Sequence, residues 1–326
     1  MDNIYSKIAK EVNKHSKQRT CFVFGQDDSP SDVDYYFKTG SLSLDAILGN
    51  GLPNKRIIEI SGAEGSGKST LLMNLIAKAQ KAGIYTILFE PEGSNLGDRL
   101  EQMGIIKEKL FILDVDCIED FFDSMQKTIE EIKKHDSDAR ILVGWDSLAS
   151  TMSRVQFEGD YDTANIASVA RVMSNSIRKI NRIISKCNVI FVVINQVREK
   201  IGIIFGDKEI TPGGRALKFY CCIRLRLSIA EKIKDGSGNI IGIKTRITTV
   251  KNKVASPWKS CVVVIDFNNG IKNLDSIVAS LKECNSSVFN FGDKIYKGEQ
   301  LKKLLKDSKE AREKAINIIR NGKQSK

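Results

Sequence analysis

Five short, almost uniformly apolar runs alternate with amphipathic stretches, and this pattern limits the fold more than any other feature of the sequence. Strands that read as continuous apolar runs are buried on both faces, which is typical of parallel sheets covered by helices. One intervening stretch, from about Ala164 to Lys186, repeats apolar residues with the 3.6-residue period of a helix. We therefore predict an α/β fold with a mostly parallel central sheet and helices on both faces. The five runs are RIIEIS, YTILFE, KLFILDV, RILVGWD and NVIFVVI.

The pattern changes at both ends of the chain. Ile4, Ile8 and Val12 recur at four-residue spacing, which predicts a short N-terminal helix, and Thr20–Phe24 is a candidate strand. Beyond residue 220 the segments IRLRLSI, TRITTV and SCVVVID are joined by turns and predict antiparallel strands at one edge of the sheet. The predicted domains are an N-terminal helix and strand (residues 1–34), the α/β core (35–268) and a small basic C-terminal α+β domain (269–326).

Charge and cysteine content narrow the range of partners and compartments. The net charge of +11 points to a polyanionic partner, nucleic acid before membrane surface, although a solvated lysine-rich surface explains the same composition. Seven cysteines without a CxxC pair fit a reducing compartment, and two histidines make a histidine-based metal site improbable. The N-terminus has no signal-peptide pattern and no run approaches 18 apolar residues, so we expect a cytoplasmic protein without a membrane span.

The segment GAEGSGKST carries the pattern GxxxxGK[ST] between a predicted strand and a predicted helix. Its glycines let backbone N–H groups approach phosphate oxygens, and the helix N-terminus adds the positive end of its dipole. Lys68 is predicted to neutralise the β- and γ-phosphates, and the Ser69 hydroxyl to ligate Mg²⁺. A plain glycine-rich turn is the alternative. The predicted nucleotide-binding residues are Gly62, Ala63, Glu64, Gly65, Ser66, Gly67, Lys68, Ser69 and Thr70.

Carboxylates end two other apolar runs. RILVGWD ends in Asp146, where a carboxylate is expected to hold Mg²⁺ through a water molecule, although aspartate also ends strands as a helix cap. The run YTILFE ends in Glu90, and Glu92 follows after Pro91. A carboxylate at this position could orient a water molecule for attack on the γ-phosphate. Two solvated loop acids are the open alternative.

Five motifs in this order resemble the RecA family of homologous recombinases, the bacterial type in particular, from about residue 4 to beyond residue 300. They are KTGSLSLDAILG, GAEGSGKST, the DS that ends RILVGWDS, INQVREKIGIIFGDKEITPGGRALKFY and VKNKVASPW. The resemblance implies a RecA-like P-loop ATPase core that uses ATP and Mg²⁺. It further implies filaments on single-stranded DNA, pairing with homologous double-stranded DNA, and a location in the bacterial cytoplasm, or in the host cytoplasm for a phage-encoded member. Single-strand-binding and loading proteins are further expected partners.

Within the ATP site, the resemblance assigns Glu92 to the activation of water and Gln196 to sensing the γ-phosphate. Lys251 and Lys253, in VKNKV, match lysines that reach the ATP of the neighbouring subunit, and a solvated strand edge is the alternative. The family places an aspartate and a tyrosine against adenine where this chain has Leu96 and Arg99. We predict that Arg99 stacks on the base through its guanidinium plane.

DNA contacts are implied in two loops. The first corresponds to Glu158–Ile166, in which Ile166 is a candidate wedge between bases but also fits the apolar stripe of the helix. In the second, Ile201 would insert between bases while glycine N–H groups approach phosphates. Among the usual duplex-binding bases Arg246 is present, whereas Ser228, Ile229 and Thr248 are not basic. The predicted DNA-binding residues are Ile166, Ser174, Arg178, Arg198, Ile201, Gly213, Gly214, Arg215 and Arg246.

Subunit contacts are the last implication of the resemblance. A strand formed by Cys21, Phe22, Val23 and Phe24 would add to the sheet of the next subunit, although it could pair within its own chain. Lys218 and Phe219 fall at the same interface. Two other functions stay open: an ATP-gated coat on single-stranded DNA with little strand exchange, and a hexameric helicase-type motor.

Overall fold

The computed structural model describes residues 4–16, 19–23, 32–93, 97–159, 166–199, 209–210, 212–284 and 288–322, with the backbone alone for residues 98–99, 166–167, 198–199 and 209–210. The chain divides into two units, Met1–Asp34 and Tyr35–Lys326. The separation of residues 269–326 as a domain stays a prediction.

The first unit contains the predicted N-terminal helix, α1 (Ile4–Lys14), and its stripe residues Ile4 and Ile8 are exposed. Asn13 ties the following segment to the helix, because its Oδ1 accepts hydrogen bonds from the N–H groups of Thr20 (2.8 Å) and Cys21 (2.9 Å). Cys21–Val23 form no ladder with any described strand, and Phe24 lies outside the described residues. The predicted addition of this segment to a neighbouring subunit stays a prediction.

The second unit is an α/β structure whose core strands coincide with the five apolar runs. Its strands are β1 (Tyr36–Phe37), β2 (Leu52–Pro53), β3 (Arg56–Gly62), β4 (Tyr85–Phe89), β5 (Leu110–Leu113), β6 (Ile141–Trp145), β7 (Val189–Gln196), β8 (Arg198–Glu199), β9 (Glu209–Ile210), β10 (Ile223–Lys234), β11 (Ile240–Asn252), β12 (Ser260–Asp266), β13 (Gly270–Ile271), β14 (Phe289–Phe291) and β15 (Lys294–Tyr296).

Helices connect the parallel strands and make up most of the C-terminal region. They are α2 (Leu42–Leu48), α3 (Lys68–Lys81), α4 (Gly97–Gln102), α5 (Ile118–His135), α6 (Arg154–Phe157), α7 (Ile166–Lys186), α8 (Gly214–Tyr220), α9 (Asn273–Glu283), α10 (Gly298–Asp307) and α11 (Lys309–Asn321), with 3₁₀ turns at Lys107–Lys109 and Leu148–Ser150. Among the helices described, none combines the length and apolar composition that a membrane crossing requires.

A nine-stranded sheet organises this unit, in the order β13-β12-β11-β10-β3-β7-β6-β4-β5. The strands from β10 through β3, β7, β6 and β4 to β5 are parallel neighbours, whereas β10 to β13 are joined antiparallel. The predicted mostly parallel sheet with antiparallel edge strands is therefore confirmed. Because the parallel strands run the same way, the residues that follow β3, β4, β6 and β7 meet at one edge of the sheet.

Two hydrophobic cores lie on the two faces of the sheet. One contains α3 together with α2 and α9–α11. The other contains α5 and α7, and its centre is a cluster of five rings in mutual contact, from Phe89, Phe121, Phe122, Trp145 and Phe191. The indole N–H of Trp145 donates to Thr151 Oγ1 (3.0 Å), so the buried ring has its polar atom satisfied. The apolar runs are uniform because both faces are covered.

Large apolar side chains are exposed at two places in this unit. β5 is the last strand of the sheet, and its Phe111 and Ile112 are 46% and 51% exposed, although the run KLFILDV is as apolar as the others. The turn between β11 and β12 carries Trp258, which is 72% exposed. The apolar pattern predicted a strand at residues 110–113 correctly, but it did not predict that this strand lies at an edge.

Candidate nucleotide and nucleic-acid site

The loop between β3 and α3 is shaped by glycines that other residues could replace only with strain. Gly65 and Gly67 have φ values of 69° and 90°. A Cβ on Gly67 would lie 2.7 Å from Ile265 Cδ1, and one on Gly62 would lie 2.5 Å from the Leu227 carbonyl oxygen. The backbone of the loop therefore stays open to a ligand on one side and is closely packed on the other.

Lys68 begins α3 and is buried, with its ammonium donating to the Ala63 carbonyl oxygen across the loop (2.8 Å). Burial lowers the pKa of Lys68 below its ordinary value, and the nearby carboxylates of Asp146, Glu64 and Glu92 oppose this shift. The loop thus encloses a partly desolvated cation that is held by a neutral carbonyl. The phosphates of a nucleotide are a better-matched partner for such a cation, so these residues fit ATP.

Ser69 and Asp146, the two predicted Mg²⁺ ligands, are brought together by the fold. Asp146 directly follows β6, and its carboxyl group is hydrogen-bonded to the Ser69 side chain. Burial raises the pKa of Asp146, the hydrogen bond with Ser69 opposes this, and the charges of Glu92 and Glu90 add to it. One hydroxyl and one carboxylate are a typical protein contribution to a Mg²⁺ site, which fills its other positions with phosphates and water. This donor set fits Mg²⁺ bound to a nucleotide.

Glu92 lies beside the same strand end, because Ser147 Oγ donates to its Oε1 (3.4 Å). Glu90 and Glu92 both act electrostatically on Asp146, and Glu92 also acts on Lys68. No group of three or more acidic, cysteine or histidine side chains with metal-binding geometry occurs in the described part of the chain. The acids at this edge thus surround a lysine instead of forming a metal cluster of their own.

Gln196 is the last residue of β7 and pairs in register with Gly62, where the phosphate loop begins. The strand is buried up to Asn195 and exposed at Gln196. Position 196 therefore lies between the phosphate loop and the segment predicted to bind DNA. Two predicted DNA-binding residues of that segment cannot be placed in the same way. The side chain of Arg198 and the whole of Ile201 lie outside the described residues.

Gly213 and Gly214 stand at the other end of that segment, with φ values of 86° and 71°. A Cβ on Gly213 would lie 2.5 Å from Leu148 Cδ2, and one on Gly214 would lie 3.1 Å from Ala170 Cβ. Arg215 follows on α8 and is exposed. The glycine pair lets the chain return close to the 3₁₀ turn at Leu148 and to α7.

Ser174 and Arg178 lie four residues apart on α7. Ser174 is half-buried beside the buried stripe that includes Met173 and Ile177, and Arg178 is exposed. The side chain of Ile166 and residues 160–165 lie outside what the structure describes. The predicted wedge role of Ile166 therefore stays untested. The predicted apolar stripe of this helix is confirmed where its residues are buried, at Met173, Ile177, Ile180 and Ile184.

Lys251 and Lys253 lie apart from the phosphate loop of their own chain. Lys251 on β11 lies opposite Arg224 on β10, and Arg224 lies opposite Glu59 on β3 in the register of the sheet. Glu59 precedes Gly62 by three residues, which is about 10 Å along β3. The Lys251 ammonium donates to the carbonyl oxygens of Lys218 (2.8 Å) and Phe219 (2.9 Å) at the end of α8. Burial, and secondarily the charge of Lys253, lower the pKa of Lys251. The predicted contact of these lysines with the ATP of a neighbouring copy stays a prediction.

Arg246 of β11 is engaged by Glu283 at the end of α9. Its Nη2 lies 2.6 Å from Glu283 Oε1 and its Nε 3.0 Å from Oε2. Ser228 is its partner in register on β10. Leu96 and the side chain of Arg99, the candidates for adenine binding, lie outside the described residues.

The sequence interpretation assigned no role to three polar residues of this region, of which Glu59 and Asn195 are buried and Arg224 is half-buried. Glu59, Arg224 and Asn195 form a polar chain across β10, β3 and β7 below the phosphate loop. Thr245 is a fourth polar residue of interest, because its Oγ1 donates to the Ser66 carbonyl oxygen (3.0 Å) and supports the loop from β11. One signal was available for Glu59, which is the lone acid within the apolar run RIIEIS.

Comparison with known proteins agrees with this geometry. The profile of the family described as "RecA N-terminal domain" matches residues 3–272. "Protein RecA" of Ureaplasma parvum is 38% identical over 99% of this chain and 98% of its own length. "Protein RecA" of Levilactobacillus brevis is 36% identical over 94% and 80%, and that of Caldanaerobacter subterraneus 37% identical over 86% and 83%. The chain belongs to the RecA family.

Proposed function

We propose that this protein is an ATP-dependent DNA recombinase, a DNA-stimulated ATPase that forms filaments on single-stranded DNA and pairs it with homologous duplex. The observation that carries the proposal is the meeting of Lys68, Ser69, Asp146 and Gln196 at one edge of the sheet. Gln196 belongs both to this edge and to the segment expected to contact DNA. Such an arrangement gives one side chain access to both ligands.

The residues have distinct roles in hydrolysis. Lys68 and the backbone N–H groups of Ala63–Ser69 bind the phosphates, while Ser69 and, through water, Asp146 hold Mg²⁺. When bound, Mg²⁺ neutralises charge on the β- and γ-phosphate oxygens. Glu92 accepts the proton of the attacking water, and Gln196 contacts the γ-phosphate. The close packing around Gly62 and Gly67 keeps these groups in place, which is what preorganised stabilisation of charge requires.

Self-association completes the ATP site in this proposal. Lys251 and Lys253 neutralise charge on the ATP of a neighbouring copy, and the distance between Lys251 and its own phosphate loop supports that assignment. To do so, Lys251 exchanges two carbonyl partners for phosphate oxygens, a stronger charge-assisted interaction.

The edge strand β5 supports the same assembly. One side of β5 has no ladder partner among the described strands, and Phe111 and Ile112 are exposed on it. An unpaired apolar edge is a template for an added strand, and Cys21–Phe24 of a neighbouring copy is the strand we assign to it. Lys218 and Phe219, the latter 74% exposed, contribute to the interface. Replacing Phe111→Lys should prevent the formation of long particles in sedimentation or electron microscopy.

DNA contacts in the proposal come from α7 and the segment after Gln196. Ser174, Arg178 and Arg215 contact phosphates, Gly213 and Gly214 offer N–H groups, and Ile166 and Ile201 are the wedges. Arg198 binds the backbone, and Arg99 stacks on adenine in the ATP site. We place the protein in the cytoplasm of the cell that makes it, and its seven free thiols support a reducing compartment. Single-strand-binding and loading proteins are proposed further partners.

The test of the proposed function is the ATP hydrolysis rate with and without single-stranded DNA at two salt concentrations. We expect strong stimulation by DNA that weakens as salt rises, because counterion release makes phosphate binding salt-dependent. A rate that DNA leaves unchanged at both salt concentrations would contradict the proposal.

One observation favours a second function, an ATP-gated coat on single-stranded DNA with little strand exchange. Arg246, the retained base of the duplex site, is paired with Glu283, and Ser228, Ile229 and Thr248 add no charge. A D-loop assay with homologous and heterologous duplex separates the two functions. Homology-dependent joint molecules support recombination, and their absence with intact DNA-stimulated hydrolysis supports the coat.

A further inference from the structure

An ion pair between a buried carboxylate and a half-buried arginine crosses the middle of the sheet beneath the phosphate loop. Glu59 on β3 is completely buried, Arg224 is its partner in register on β10, and the Arg224 Nε donates to Glu59 Oε2. Burying the charged Glu59 carboxylate is unfavourable unless its remaining hydrogen-bonding positions are also satisfied. The second carboxylate oxygen of Glu59 is therefore informative, because its partner shows what the ion pair supports.

That partner is Asn195. Its Nδ2 donates to Glu59 Oε1 (3.0 Å) and also to the carbonyl oxygen of Pro212 (3.1 Å). Asn195 precedes Gln196, where the segment predicted to bind DNA departs from β7, and Pro212 precedes Gly213, where that segment returns. One buried amide therefore joins the departing end, the returning end and the ion pair.

The returning end is held on a second side. Gly213 approaches Leu148 so closely that a Cβ would meet Cδ2 at 2.5 Å, and Gly214 packs similarly against Ala170. Pro212 thus stands between a close steric contact and a hydrogen bond to Asn195. The amide of Asn195 is not otherwise fully used, because its Oδ1 is buried and has no donor among the described residues.

This partial satisfaction argues against a purely structural role for Asn195. A buried acceptor without a donor lowers stability, and an apolar side chain of similar shape would avoid that loss. What an apolar side chain cannot provide is the pair of donated hydrogen bonds to Glu59 and Pro212. Because the acceptor of the first is a charged carboxylate, that bond is the stronger of the two and fixes the amide.

We propose that Asn195 is a positioning residue that sets the spacing between the two ends of the DNA-binding segment and couples that spacing to Gln196. The inference rests on the proposed function. Asn195 and Gln196 are consecutive on β7, so a displacement of Gln196 by the γ-phosphate moves the amide that holds Pro212. The Glu59–Arg224 pair is the fixed point against which this movement occurs. DNA bound at the segment acts on Gln196 through the same connection.

The experiment compares Asn195→Ala with a matched control, Ser61→Ala. Ser61 pairs in register with Asn195, is buried on the neighbouring strand, and donates one hydrogen bond to the Leu225 carbonyl oxygen (3.1 Å), but it does not contact Pro212. The measurements are thermal unfolding, ATP hydrolysis with and without a poly-dT strand, and hydrogen exchange over Gly214–Tyr220.

In Asn195→Ala we expect the ratio of DNA-stimulated to basal hydrolysis to fall about tenfold, the factor typical of one lost hydrogen bond to a charged group. The KM for ATP without DNA stays near that of the wild type, and exchange over Gly214–Tyr220 becomes faster. Ser61→Ala keeps the wild-type ratio. If Asn195→Ala does not fold, Asn195→Ser, which retains a hydroxyl donor, is measured by the same criteria.

Three results would overturn the inference. An unchanged ratio in Asn195→Ala removes the coupling role, and an equal fall of basal and stimulated rates in both variants reveals a structural role alone. A wild-type enzyme that DNA does not stimulate overturns the proposed function and this inference together. A wild type that is stimulated, with loss of stimulation in the Asn195 variants alone, supports both.

Discussion

The phosphate-loop edge of the sheet and the antiparallel hairpin β10–β11 both present basic residues, but the two regions differ in how far those residues are buried. At the edge, Lys68 and Asp146 are buried and the glycines around them are crowded by Ile265 and Leu227. On the hairpin, Arg246 and its partner Glu283 retain side-chain exposures of 44% and 30%. Buried charges depend on particular neighbours, whereas exposed ion pairs exchange with ions in solution and contribute only about 0–1 kcal/mol. Substitutions should therefore have large, local effects at the edge and small, salt-dependent ones on the hairpin.

The largest effect is expected at Lys68. Replacing Lys68→Ala removes the buried ammonium that faces the phosphates, and we expect ATP hydrolysis to fall about 10³-fold because charge in the transition state loses a preorganised partner. Lys81→Ala, in the last turn of the same helix and exposed, is the matched control. Comparable ATP hydrolysis rates for the two variants would contradict the prediction that the buried lysine matters more than the exposed one.

Asp146→Asn is expected to separate activity from stability. Hydrolysis should fall about 10²-fold with loss of the Mg²⁺ carboxylate. The pKa of Asp146 is raised by burial, so the folded protein binds this proton more tightly than the unfolded chain, and the ionised form destabilises the fold above the folded pKa. Without nucleotide the variant should therefore unfold at a higher temperature at pH 7, and this gain should shrink as pH falls through the folded pKa. A lower Tm at pH 7 would contradict the sign.

Gly67→Ala and Gly65→Ala test whether crowding or backbone strain governs the loop. Both glycines have positive φ, but only Gly67 has neighbours within 4 Å of an added Cβ, the nearest of which is Ile265 Cδ1 at 2.7 Å. We expect the free energy of unfolding to fall by about 1 kcal/mol for Gly65→Ala, and by roughly 3 kcal/mol for Gly67→Ala. Urea denaturation measures both values. Equal losses would assign the whole effect to backbone strain.

The smallest effect is expected on the hairpin. Glu283→Gln frees Arg246, so the slope of log affinity for duplex DNA against log salt should steepen by about one phosphate contact, with a stability change of roughly 0.5 kcal/mol. Glu299→Gln is the control, since Glu299 pairs with Lys302 at a mostly exposed position. If the slope of log affinity against log salt changes equally in the two variants, the pairing of Glu283 with Arg246 has no specific effect on duplex binding. Hydrolysis stimulated by single-stranded DNA should be unaffected in either variant.

The sequence predicted what depends on local pattern. Uniform apolar runs predicted the parallel strands, and GAEGSGKST predicted where the phosphate loop begins and ends. It did not predict the partners of Glu59 and Arg246, because these lie 165 and 37 residues away in the chain. The edge position of β5 was missed for a related reason: an apolar run shows that a strand forms but not which strands lie beside it. The roles proposed for Lys251 and Lys253 depend on another copy of the chain, and they were assigned from the resemblance of VKNKV to the family and not from the apolar pattern.

The burial of Trp145 has an optical consequence. The chain contains two tryptophans, one enclosed by Phe89, Phe121 and Phe191 directly before Asp146, and one at the exposed turn of Trp258. Their emission should differ in wavelength, and acrylamide should quench Trp258 while leaving Trp145 largely unaffected. In a Trp258→Phe variant all tryptophan fluorescence, excited selectively over that of the tyrosines, then comes from a ring one residue away from the candidate Mg²⁺ carboxylate. The protein thus carries an intrinsic reporter with which nucleotide binding can be timed without an attached dye.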